Sequence, residues 1–162
     1  MTERSTRELL VRLKNEIPGI ALRTTLIVGY PDETEDDFQR LCEFVKESRF
    51  HRLGVFTYSK EEGTASAVLE DPIPEEVKNE RRARIMEIQK DISREHNESM
   101  VGTTMRVLID AHDGEFFIGR TEWDAPEIDQ EVFIQSDRPL TVGTFHHVTI
   151  TDAMEYDLSA TV

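Results

Sequence analysis

The sequence predicts a mixed α/β plus all-β fold: a short strand–helix–strand segment, a connector helix, and a small antiparallel β-barrel of the OB-like kind. Three features predict it. Two apolar runs flank an amphipathic helical stretch in the first half. A long charged helical stretch follows Pro74. From Thr103 the texture changes to short β-rich runs broken by turn residues. The domain boundaries that follow are 1–72, 73–100 and 101–162.

Arg7 to Glu16 reads as a helix with Leu9, Leu10, Leu13 and Ile17 near one face, stopped by Pro18-Gly19. The run Ile20 to Val28 ends without alternation, which predicts a strand buried on both faces, and Gly29-Tyr30-Pro31 breaks it. Thr34 is placed to cap the next helix, with Glu35, Asp36 and Asp37 in its first turn, where the helix dipole favours acids. Phe38, Leu41, Cys42 and Val45 then recur at helical spacing and mark a core face. Leu53 to Tyr58 predicts a second buried strand, so the segment is a βαβ unit with a right-handed crossover. Two parallel strands do not close a sheet, so this portion reads as the tail of a larger α/β domain.

Ser59 to Ala65 reads as a loop. Pro74 suits the first position of a helix running to about Glu98, with Ile85, Ile88 and Ile92 as its apolar stripe and Arg81, Arg82 and Arg84 in its first half. Met105–Ile109, Glu115–Gly119, Val132–Ile134 and His146–Ile150 read as strands, with Asp113-Gly114 as a hairpin signal.

Composition narrows the function classes. No apolar run reaches the roughly 18 residues of a membrane span, and the charged start Met1–Glu8 is not a secretory signal. The single cysteine, Cys42, leaves no internal disulfide, which fits a reducing, cytoplasmic setting. The net charge of −14 is uneven: Val101 to Val162 holds twelve acids against three arginines and no lysine. Such a surface repels phosphate backbones and attracts basic partners, although acidic surfaces also serve solubility alone.

The stretch Ile17-Pro-Gly-Ile-Ala-Leu-Arg-Thr-Thr-Leu-Ile-Val-Gly-Tyr-Pro31, with Glu33-Thr34-Glu35 and Phe38 after it, resembles a late-barrel segment of the radical S-adenosylmethionine (SAM) methylthiotransferases. Arg52-Leu-Gly-Val-Phe-Thr-Tyr-Ser59, with Glu61-Glu-Gly-Thr64, resembles the next barrel strand and loop, and the last part of the chain resembles the TRAM domain of that family. The resemblance implies a C-terminal fragment of a radical SAM (β/α) partial barrel, then the connector helix, then the TRAM barrel. Two branches exist, one acting on a tRNA adenosine and one on an aspartate β-carbon of small-subunit ribosomal protein twelve. Glu61-Glu62-Gly63-Thr64, Gly119-Arg-Thr-Glu122 and Asp124-Ala-Pro-Glu-Ile-Asp129 are similar to the ribosomal-protein branch. Asp32 departs from the family's usual Gly, and Ala65-Ser66-Ala67 from its usual run.

The resemblance implies a transferase that uses SAM and two [4Fe–4S] clusters and whose partner is a basic small-subunit ribosomal protein; the acidic charge argues against nucleic acid, and the lack of a long apolar run against a membrane. Cluster ligation takes cysteine triads that this sequence lacks, so the chain alone is expected to assemble neither cluster and to be inactive. Ile27, Val28, Gly29, Phe56, Thr57 and Tyr58 are the residues implied as a SAM wall, against a plain core-and-turn reading. Glu122, Asp124, Glu127 and Asp129 are implied as an acidic docking surface. No catalytic residue and no metal ligand is expected. A tRNA-modifying relative and a non-enzymatic acidic module that binds basic proteins remain the alternatives.

Several residue types admit two readings. Arg23 either points its charge into the barrel or pairs with a helix acid. Glu61 and Glu62 read as solvated loop rather than an acid–base pair. His146 and His147 alternate faces and so do not share a metal, while His51, His96 and His112 read as isolated surface residues. Phe116, Phe117, Trp123, Phe133 and Phe145 read mostly as barrel core, since no basic groove accompanies them as a base-stacking platform requires.

Overall fold

Helix α1 (Glu3–Glu16) begins one turn earlier than the leucine spacing suggests. The reason is a capping box: Ser5 N donates to Thr2 Oγ1 at 3.2 Å and Thr2 N donates to Ser5 Oγ at 2.9 Å. No residue of α1 is buried. Leu10 and Leu13 are half-buried, Arg7 pairs with Glu47 and lies 5.1 Å over the Phe44 ring, and Lys14 Nζ donates to Ser48 O at 2.6 Å. The computed structural model describes residues 2–126 and 128–162, and of Ala65 and Ala67 the backbone alone. It divides into two compact units, Met1–Ile92 and Ser93–Val162.

In the first unit, strands β1 (Arg23–Val28) and β2 (Arg52–Thr57) pair in parallel from Arg23↔Arg52 to Val28↔Thr57. Helix α2 (Glu35–Ser48) connects them. Thr34 caps it as its sequence predicts, with Asp37 closing a second capping box. The expectation that both strands are buried on both faces is corrected. Leu26, Val28, Leu53 and Val55 pack with Phe38, Cys42 and Val45 of α2, whereas Thr25, Ile27 and Phe56 are exposed on the opposite face. The apolar run that looked two-sided therefore alternates like any one-sided strand.

Helix α3 (Glu75–Glu98) supplies the second cover for that core through Ile85 and Ile92, with Met86 and Ile88 half-buried beside them. Its buried face is not only apolar. Lys78, Arg81 and Gln89 are buried on the same stripe as Ile85 and Ile92, at helical spacing. Gln89 Nε2 donates to Phe50 O at 2.8 Å. A short 3₁₀ turn spans Ala65–Val68 between β2 and α3.

The second unit is a closed barrel of strands β3 (Thr104–His112), β4 (Phe117–Arg120), β5 (Val132–Gln135), β6 (Phe145–Ala153) and β7 (Leu158–Thr161), in the spatial order β3-β4-β5-β7-β6. Closure removes every sheet edge. Two features differ from the sequence reading. Strand β7 is short and its two inward residues, Leu158 and Ala160, lie beside polar Ser159 and Thr161, so it carries little apolar signal. It also pairs in parallel with β5, so the barrel is antiparallel except at this seam. Register shifts at Ile109/Ala111 and Ile150/Asp152 bend the two long strands, as a small barrel requires.

Alternate residues of each strand fill the interior: Val107, Ile109, Val132, Ile134, Val148, Ile150, Leu158 and Ala160, with Met100, Phe117 and Leu140 sealing it. Of the five aromatics expected mostly inside, Phe117 is in the core and Trp123 packs against it. Phe116 and Phe133 are half-buried and meet edge to face at 6.4 Å, and Phe145 is exposed under the Arg106 guanidinium at 4.4 Å. That is a correction, and its cause is the barrel's small bore, which the aliphatic residues already fill. Gly119 is the tightest point: a Cβ there would come within 2.6 Å of Leu108 O and of Val107.

Two outcomes are expected. Gly119→Val forces β4 away from β3 and destabilises the barrel by about 1–3 kcal/mol, read from the urea unfolding midpoint of the second unit. Asp37 accepts hydrogen bonds from the Thr34 hydroxyl and Thr34 N and pairs with Arg40, which holds its carboxyl below the usual 3.8, at about 2. A carboxyl depressed in the folded state stabilises at pH above its unfolded value, and that contribution is lost as pH falls toward about 2. Asp37→Asn removes this part of the acid limb, so a plot of Tm against pH is flatter for the variant across that window.

Candidate functional site

The C-terminal ends of β1 and β2 come together where α/β folds place their ligand sites. Gly29 follows β1 at φ +77°, a conformation that side chains rarely adopt, and a Cβ there would overlap the Lys78 side chain. Gly29 N donates to Glu33 Oε1 at 3.1 Å. The same carboxylate oxygen accepts from Arg81 Nη1 at 2.6 Å, in an ion pair whose two side chains are only 9% and 12% exposed. Arg81 also lies 5.3 Å over the Phe38 ring. The turn that ends β1 is thus held by a glutamate that is itself held by a buried arginine.

The end of β2 is built the same way. Tyr58 N donates to Val28 O at 2.8 Å, and the Tyr58 ring meets Tyr30 edge to face at 5.3 Å. Beneath it lies Lys78, 1% exposed, whose Nζ donates to Asp71 Oδ2 at 2.5 Å, Glu75 Oε1 at 2.8 Å and Tyr58 O at 3.4 Å. Burial pushes the Lys78 ammonium down, but the bonds it donates to Asp71 and Glu75 and the charges of those carboxylates outweigh it and hold the pKa above its usual 10.5. Lys78 therefore stays protonated at neutral pH. It anchors and does not act as a base.

The six residues expected as a cofactor wall divide by face. Ile27 and Phe56 are register partners on the uncovered side, 59% and 63% exposed. Val28 and Tyr58 are buried on the covered side, Val28 within the helix-packed core. Gly29 is buried at the turn and Thr57 is half-buried. Lys78, Arg81 and Glu33 were missed by sequence reasoning. The signal was available, since Lys78 and Arg81 share helical spacing with Ile85, but charged residues on a charged helix read as solvated.

In the barrel, the expected docking acids also divide. Glu122 is exposed. Asp124 is buried, with Thr121 Oγ1 donating to its Oδ2 at 2.5 Å. Asp129 is half-buried and its Oδ2 accepts from Ala125 N at 2.7 Å. Glu127 lies outside the described residues. Other aspartates also serve turns: Asp113 accepts from Glu115 N and Phe116 N, bonds that hold its carboxyl below the usual range, and Asp157 accepts from Glu131 N. Among the described residues, Glu115, Glu122, Glu131 and Asp137 make no side-chain hydrogen bond or ion pair, so they carry the unscreened surface charge. Two of the barrel's three arginines are engaged, Arg120 on Asp110 at 2.8 Å and Arg106 on Phe145.

Among the described residues no group of three His, Cys, Asp or Glu is placed together as a metal site would need. His51 is structural, its Nδ1 accepting from Leu22 N at 3.2 Å, and Thr144 Oγ1 lies 3.0 Å from His146 Nε2. Cys42 is 3% exposed in the core, and burial pushes its thiol up. The residues present do not fit an iron–sulfur cluster, which takes several exposed thiolates. They do fit a flat apolar ligand surface, because Ile27 and Phe56 stand side by side and open beside the Gly29 turn.

Comparison with known proteins places these features in context. Residues 101–162 match the family model of the TRAM domain. The chain is 53% identical, over 94% of its length, to a ribosomal protein uS12 methylthiotransferase RimO from Cytophaga hutchinsonii, and covers 35% of that protein. It is 49% identical over 98% of its length to the protein of the same name from Parabacteroides distasonis, and 48% identical over its whole length to that from Bacteroides thetaiotaomicron, covering 37% and 38% of them. The chain thus spans a little over a third of the length of these relatives.

Lys78→Ala leaves two carboxylates facing the hole where a buried cation stood. The first unit is expected to lose about 3 kcal/mol, measured by urea unfolding, while Lys60→Ala, on an exposed loop, changes it by less than about 0.5 kcal/mol.

Proposed function

We propose that this chain, homologous over nearly its whole length to a C-terminal region of the RimO methylthiotransferases and carrying a TRAM domain, is the late-barrel and substrate-docking portion of an enzyme that modifies an aspartate of ribosomal protein uS12. In that reading the complete enzyme is a radical SAM transferase acting in a reducing cytoplasm. SAM supplies the radical chemistry when it is reduced by a cluster, and the cluster ligands lie outside this sequence, whose one cysteine is buried. The chain alone docks its substrate and does not turn it over.

The roles of this chain's own residues follow from their placement. Ile27 and Phe56 offer an apolar wall against which a flat ring packs and from which water is excluded. Gly29 lets the backbone turn sharply beside that wall, and Glu33 and Arg81 keep its N–H in a fixed direction. Lys78 ties the Asp71 segment to the Tyr58 carbonyl and so fixes the loop that follows β2. These residues bind and orient. None of them is placed to move a proton.

The observation that carries the choice of partner is the state of the barrel's bases. Holding tRNA takes several free Lys or Arg contacts to phosphate. Here there is no lysine from Val101 to Val162, one arginine is paired with an aspartate and one is stacked on a phenylalanine. The exposed glutamates give the surface the sign that suits a basic ribosomal protein.

A salt titration tests this. The chain is expected to bind the basic ribosomal protein uS12 with an affinity that falls as salt rises, and to leave a tRNA anticodon stem-loop unbound under the same conditions. Binding of the stem-loop in preference to the protein would move the enzyme to the tRNA-modifying branch.

A further inference from the structure

One end of the barrel gathers exposed apolar side chains. Strands β5 and β7 run in parallel, so the loops that enter them, 121–131 and 154–157, lie side by side. They are joined there: Glu131 N donates to Asp157 Oδ1 at 2.9 Å, and Leu158 N donates to Glu131 O at 3.0 Å. The first loop presents Ile128, which is 75% exposed, and the second presents Met154 and Tyr156, both exposed. The loop that carries Ile128 is fixed by its own bonds. Thr121 Oγ1 donates to Asp124 Oδ2, Ala125 N donates to Asp129 Oδ2 at 2.7 Å, and Asp129 N donates back to Ala125 O at 3.2 Å. An apolar side chain is thus held in water on a loop that a partner does not have to order.

The surroundings of that side chain have one sign. The two loops hold seven acids and no lysine or arginine. Arg94 answers one of them, Glu155, at 2.7 Å, while exposed Glu131 makes no side-chain hydrogen bond or ion pair with a described residue. The arginines of the barrel do not offset this charge. Arg138 follows β5 and so lies beyond its opposite end, Arg120 pairs with Asp110, and Arg106 is on β3, two strands away from both β5 and β7. We propose that Ile128 and these two loops form a docking surface for a basic amphipathic segment of the partner protein. An aliphatic side chain of that segment packs on Ile128, and lysines or arginines beside it reach Glu131. A purely apolar partner would bury carboxylates unpaired, and a second copy of this chain would bring like charges together. The inference rests on the docking role proposed above and narrows it to one end of the barrel.

The test measures binding of ribosomal protein uS12 to the whole chain across a salt series. Ile128→Ala is expected to weaken binding about tenfold at every salt concentration. Glu131→Lys is expected to weaken it about tenfold at low salt and less as salt rises. Val142→Ala and Glu115→Lys make the corresponding changes on exposed residues in loops at the other end of the barrel, and each is expected to change binding by no more than about twofold. Retained Tm values would show that these exposed-site variants fold. No loss for Ile128→Ala, or losses for Val142→Ala and Glu115→Lys equal to those for Ile128→Ala and Glu131→Lys, would overturn this surface while leaving the docking role intact. A dimer of the chain that Ile128→Ala dissolves would do the same, since a second copy would then be the occupant. If uS12 does not bind the unaltered chain, the docking role itself fails and the surface falls with it.

Discussion

A pair of parallel strands has two faces to cover, and among the described residues of the first unit no third strand shares the task. Helices α2 and α3 cover one face, and the strand residues that point to them, Leu26, Val28, Leu53 and Val55, join a single core with Phe38, Val45, Ile85 and Ile92. The cover has to continue past the strand ends, where backbone groups turn away from the sheet and apolar packing would leave them unsatisfied. There the buried face of α3 changes from isoleucine to Arg81 and Lys78. Lys78 meets the Tyr58 carbonyl, and Arg81 holds the glutamate that takes up the Gly29 N–H. A buried cation is tolerated only where its charge is answered, and each of these two has carboxylates within ion-pair distance. The glycine, the two cations and four acids, Asp71, Glu75, Glu33 and Glu35, form one interlocked arrangement, and the position of the strand ends depends on it.

The barrel solves the same problem by closure. Five short strands pair all round, and the one parallel seam, β5 with β7, lets the last strand fill the gap between β5 and β6. Small aliphatic residues fill the bore, Gly119 admits the closest approach of β3 and β4, and bulges on β3 and β6 supply the bend. The turns are stabilised by aspartates that accept backbone N–H bonds. Four of the twelve acids there, Asp113, Asp124, Asp129 and Asp157, are held in turn and loop hydrogen bonds, so their oxygens are less available to a partner than the net charge suggests.

That division between spent and unspent charge is what connects the fold to function. The carboxylates left free are mainly glutamates on exposed positions, and the arginines that would oppose them are mostly engaged. On the strand unit the parallel distinction is between Val28 and Tyr58, which build the scaffold, and Ile27 and Phe56, which remain open. In both units a residue's type says what it is able to contact, and its burial says whether it is free to do so.

The order of elements up to β6, the Thr34 cap, the core stripe of α2, the Asp113-Gly114 turn and the presence of four barrel strands were legible in the sequence, because each is a local pattern or a residue with one favoured turn role. The sequence also carries the charge imbalance of the last part of the chain, twelve acids against three arginines. Tertiary structure alone decided the rest. Whether Ile20 to Val28 was covered on one face or two depended on what packs against it, and the run of apolar residues looks the same in either case. Strand β7 owes its existence to a gap between two other strands. Lys78 and Arg81 are charged residues on a charged helix until the strand ends close over them, and Asp124 is an acid like Glu122 until Thr121 takes its oxygen. Burial and pairing are properties of the assembled chain, since they depend on partners far away in sequence, and no local pattern encodes them.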